Sequence, residues 1–66
     1  MVKFYLVNFK TKFKTFDLVL IGNSEQVTAY AEKEAYNYGS DYFIEQEHEQ
    51  LTHEMQGAGI VNVANY

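Results

Sequence analysis

The side chains in this sequence that could do chemistry are few and poorly spaced for it. Both histidines fall in His48-Glu49-Gln50-Leu51-Thr52-His53. A helical zinc site of the His-Glu-x-x-His type needs its two rings four residues apart, on one face. A spacing of five turns them apart by about 140° on a helix and puts them on opposite faces of a strand. The chain has no Cys to complete a structural zinc set, so these residues read as exposed polar groups and no metal is expected. Gly57-Ala58-Gly59 followed by Asn62 looks like a shortened dinucleotide fingerprint, but it leads into a strand and lacks the third small residue and the preceding βα unit. It reads as a flexible turn. Ser24 and Ser40 have no His-plus-acid set that the sequence can place beside them, and capping and turn roles account for both. The expectation is a protein that is not an enzyme and carries no cofactor.

Two charged patterns carry more information. Glu45, Glu47 and Glu49 alternate behind Phe43. On a strand they stand ~6.7 Å apart, about two base-pair rises of B-DNA. Such a rail suits occupation of a basic, nucleic-acid-binding groove on a partner protein; it also suits a solubilising outer face. Lys10, Lys12 and Lys14 interleave with Phe9, Phe13 and Phe16, a pattern compatible with a single-strand nucleic-acid platform. The absence of Arg and a net charge of −4 weigh against that alternative.

The elements that position these residues are organised around Asn23–Gly39. Asn23 or Ser24 can cap a helix, Gln26 then completes a capping-box pair, and Glu25 suits the positive end of the dipole. Val27, Ala31, Ala35 and Tyr38 recur at helical spacing with Tyr30 on the flank, and Gly39 is placed to stop the helix. Ahead of it, Val2–Phe9 and Phe13–Ile21 read as strands rich in β-branched and aromatic residues. A three-residue loop at 10–12 pairs Phe9 with Phe13 and matches Leu6, Phe4 and Val2 with Phe16, Leu18 and Leu20. That register gives the helix the Phe4/Leu6/Phe16/Leu18 face. It leaves Tyr5, Val7, Phe9, Phe13, Val19 and Ile21 on a second face with nothing to cover it. A patch of that kind suggests an interface, and Tyr5, Phe9 and Phe13 are expected to support a homodimer. Beyond Gly39, Tyr42 to about Glu49 reads as a third strand, although Ile44, His48, Leu51 and Met55 also fit a helical stripe. Gln56–Gly59 is a loop and Ile60–Val63 a short fourth strand. The fold class is α+β, β-β-α-β-β: an antiparallel sheet with one helix packed across one face, forming a single small domain over residues 1–66.

Composition sets the limits. A chain of 66 residues without Cys has no disulfide to compensate for a small core. No apolar run reaches the ~18 residues of a membrane span, which makes a cytoplasmic protein the expectation. Charge is divided unevenly: residues 1–22 hold four lysines against Asp17, a net of +3, whereas residues 23–66 hold one lysine against eight acids, a net of −7. Such asymmetry steers partners and favours head-to-tail association.

In overall style the chain resembles small accessory proteins encoded by phages. The likeness lies in the Lys3-Phe4-Tyr5-Leu6-Val7 strand, the hairpin, the Asn23-Ser24-Glu25-Gln26 helix start and the richness in Tyr and Asn. It covers the whole length, rests on no specific motif and transfers no residue. It implies an inhibitor that binds a host protein, some members of that class using acidic surfaces. The resulting expectation is a protein-binding module with Phe43, Glu45, Glu47 and Glu49 facing the partner.

Overall fold

A computed structural model describes residues 2–64. Strands β1 (Lys3–Lys10) and β2 (Thr15–Gly22) form a hairpin. Helix α1 (Ser24–Tyr38), strand β3 (Asp41–His48), a short 3-10 turn (Glu54–Gly57) and strand β4 (Gly59–Asn62) follow. The sheet order is β3-β1-β2-β4. This is the expected α+β arrangement, and the third segment is a strand.

Helix α1 begins and ends where its sequence signals lie. Gln26 N–H donates to the Asn23 side chain at 2.8 Å, and Asn23 N–H donates to Gln26 Oε1 at 2.9 Å, closing the capping box. Gly39 adopts a left-handed φ of 61° and its N–H donates to the Tyr36 carbonyl at 3.2 Å. A side chain is strained there, so glycine is the natural terminator.

The sheet is mixed rather than wholly antiparallel. β1 pairs antiparallel with β2 and with β3, while β4 runs parallel to β2. The strand directions make β2, β3 and β4 mutually parallel, and parallel strands need crossover connections. Two such crossovers exist. Helix α1 carries the chain from β2 to β3 over one face of the sheet, and residues 49–58 carry it from β3 to β4 over the other.

The hairpin register differs from the apolar matching expected from sequence. Phe9 pairs with Phe16 and Lys10 with Thr15, leaving a four-residue loop at 11–14. Thr11 holds that loop: its hydroxyl accepts from Phe13 N–H at 3.2 Å and Lys14 N–H at 3.0 Å, and its own N–H donates to the Lys14 carbonyl at 2.8 Å. The shift of three residues turns β1 over relative to β2. The alternative register sets Tyr5 against Asp17 and Val7 against Thr15. The actual one sorts polar from apolar instead.

As a result Tyr5, Val7 and Phe9 share a face with Phe16, Leu18 and Leu20, and all pack with Val27, Ala31, Ala35 and Val63. Phe9 stacks on Phe16 with ring centroids 5.3 Å apart. On the other face Leu6 and Val19 meet the buried Met55, with Phe4, Ile21 and Ala58 around them. Thr52 and Gln46 approach side chain to side chain at 3.4 Å, tying the second crossover to β3.

Candidate protein-binding surface

The covered-face arrangement corrects the expectation of an aromatic self-association surface. Tyr5 is 3 % exposed and Phe9 0 %, both beneath α1. Phe13 lies outside the strands at the hairpin tip and is 94 % exposed. These three residues form no common surface, so the dimer expected from them has nothing continuous to form on. The second face was expected to lie bare. Half of it is instead closed by Met55 of the same chain.

The acidic rail is also redistributed. Leu6 pairs with Gln46 and Val7 with Ile44, which leaves Glu45 as the extra residue of a β-bulge. A bulge interrupts the two-residue alternation that would have aligned the three glutamates. Glu47 pairs across from Tyr5 on the helix side, where its carboxylate accepts from Lys3 Nζ at 2.8 Å. That hydrogen bond and the Glu47 charge hold the Lys3 ammonium above its usual pKa range. Glu49 follows the end of β3 and is exposed.

Glu45 points the other way, to the loop side, where it meets Asp17. Hydrogen bonding with Asp17, together with some desolvation and the Asp17 charge, raises the Glu45 carboxyl above its usual range. Asn8 of β1 stands between β3 and β2 and donates from Nδ2 to Asp17 Oδ1 at 2.8 Å. Phe43 pairs directly opposite Asn8 and is 58 % exposed. Phe43, Asn8 and Asp17 therefore form one row across β3, β1 and β2, with Glu45 beside it. This row belongs to the half of the loop-side face that the 49–58 crossover does not reach. Asp17 is the member that the sequence pattern did not single out. Its placement follows from the hairpin register.

The sequence-level nucleic-acid platform is not assembled as a row of free rings. Phe9 is buried, and Phe16 has Phe9 stacked on it, Tyr38 edge-on at 5.7 Å and the Lys14 ammonium 5.3 Å over its ring. Phe13 alone of the three projects freely, flanked by Lys12 and Lys14. His48 ends β3 and His53 precedes the 3-10 turn, both exposed. Ser24 opens α1, and Ser40 Oγ donates to the Ala35 carbonyl at 3.5 Å, a helix-end contact.

No family model, curated protein or solved structure matches the chain.

Among the described residues, no group of three or more His, Asp or Glu is arranged to hold a metal ion, and no helix is long and apolar enough to cross a membrane. What the arrangement offers is an acidic, partly aromatic patch on a firm sheet. The outer edge of the eight-residue strand β3 adjoins it, with no neighbour in the sheet.

Proposed function

We propose that the chain is a non-enzymatic protein-binding module that engages a basic segment of its partner through Phe43, Glu45 and Asp17. The edge of β3 extends the contact. The observation that supports this most directly is the bulge at Glu45. It brings a second carboxylate against Asp17 on the uncovered half of a face that is otherwise closed. Two acids on one side of the sheet beside an exposed ring suit a lysine or arginine flanked by an apolar group. The free backbone edge of β3 suits an extended segment, since strand addition supplies main-chain hydrogen bonds while alternate side chains give selectivity. Bound to a basic functional surface, such a module acts as an inhibitor by occupancy. Glu49 adds charge at the far end of β3, whereas Glu47 is already engaged by Lys3 and contributes less.

The test is an NMR titration of the isotope-labelled protein with a peptide alternating Lys and Val. Amide shifts should concentrate in β3 and at Asn8 and Asp17, fade with added salt, and disappear in the Asp17→Lys/Glu45→Lys double variant. Shifts spread evenly over the surface, or equal in the double variant, would refute the proposal.

A further inference from the structure

The hairpin tip is the least explained part of the molecule. Phe13 is 94 % exposed, yet the loop that carries it is internally hydrogen-bonded through Thr11. A large apolar ring held out on an ordered turn can be buried against another surface at a reduced cost in conformational freedom. Lys10 and Lys12 beside it make no ion pair among the described residues. Lys10 lies on the loop-side face by strand alternation from Asn8.

The same end of the same face carries the complementary chemistry. Phe43 and Asp17 lie there, both paired with Asn8, Glu45 follows two residues on in β3, and neither acid makes an ion pair among the described residues. A cation placed against the two acids relieves their repulsion, and the ring of Phe13 matches that of Phe43.

Building on the surface just proposed, we propose that a second copy of this chain docks there too, in competition with the basic segment of the partner. Phe13 and Lys12 of each protomer dock on the Phe43, Asp17 and Glu45 surface of the other. Tip and surface lie at one end of the sheet, so a two-fold axis near the Lys10–Thr15 pair lets both contacts form together. Such an interface closes on itself instead of propagating into a filament. It uses residues left exposed in each protomer and none of those buried under α1.

Sedimentation equilibrium at low ionic strength should show a monomer–dimer equilibrium that moves to monomer at high salt. Lys12→Glu and Glu45→Lys should each weaken it by about tenfold or more, as each creates two like-charge contacts per dimer. Mixing these two variants should restore a dimer, because the mixed pair regains one native and one reversed contact. Phe13→Asp should also give monomer. All three sites are exposed, and an unchanged circular dichroism spectrum verifies the fold. A wild type that stays monomeric at low salt overturns the proposal, as does a dimer indifferent to Phe13→Asp or a mixture that fails to recover. If the wild type stays monomeric while the Lys/Val peptide still shifts β3, the acidic surface stands and its partner is a different, basic chain. If neither occurs, both readings fall.

Discussion

The two faces of this sheet solve one problem by different means. On the helix side, α1 closes over Tyr5, Val7, Phe9 and Leu20 with a stripe of Val27, Ala31 and Ala35. The small alanines let the helix approach closely, and the core there is built from aromatic and branched side chains. On the loop side an irregular crossover closes only half the face, with Met55 as its single buried anchor over Leu6 and Val19. A flexible, unbranched side chain suits that position, since methionine fills irregular gaps from a segment with little regular structure. The difference teaches how polarity follows coverage. Leu6 and Val19 occur where cover exists, and Asn8 and Asp17 occur where it stops.

Substitutions can break this comparison or sharpen it. The largest effect should come from Phe9→Ala on the helix side, a loss of about 3–5 kcal/mol. A domain of this length has a total stability of roughly 3–10 kcal/mol, so urea denaturation should show a largely unfolded or barely folded variant. Met55→Ala should cost less, about 2 kcal/mol, because a crossover can settle into the space more readily than a helix can. If Met55→Ala proves as damaging as Phe9→Ala, the two faces are not the unequal partners described here.

Asn23→Ala comes next. It removes the acceptor for Gln26 N–H, and about 1 kcal/mol of stability should go with it. The loss should leave the loop side intact, which hydrogen exchange at Leu6 and Val19 would verify.

The smallest effect concerns Glu45 and depends on pH. Its carboxyl titrates above the ordinary 4.5 because the protonated form is hydrogen-bonded to Asp17. A raised value in the folded state means the pair contributes its stability below pH 4.5 and loses it as pH rises through the folded value. Glu45→Gln supplies a donor at every pH. Its melting temperature should therefore exceed that of the wild type slightly at pH 7, and the gap should close on acidification. An equal gap at both ends of the range would remove the Asp17–Glu45 contact from the account.

Much of this architecture was legible in the residues, for identifiable reasons. The helix was, since capping box, apolar stripe and terminal glycine all act within a few residues of one another. The strand character of 41–48 was also legible, from its aromatic and β-branched opening. The hairpin register was not. A three-residue loop matches apolar pairs on one face only, whereas the actual register matches them on both and sets Asn8 against Asp17, with Thr11 holding the longer loop. That error placed Tyr5 and Phe9 on the wrong face. The glutamate rail failed for a related reason, because strict alternation cannot anticipate a bulge. Met55 gives a faint signal as an apolar residue amid polar neighbours, and its spacing from Ile44, His48 and Leu51 suits a helical stripe as well.

The crossover at 49–58 has a consequence for motion. β4 contributes four residues and reaches β2 only because this stretch spans the sheet. Detaching Met55 would free the crossover alone, while β4 stays held by its ladder to β2 and by Val61 and Val63 in the helix-side core. The chain thus contains a hinged flap within an otherwise cooperative body, and its amides should exchange with solvent, and its backbone should meet proteases, well before the rest of the molecule opens.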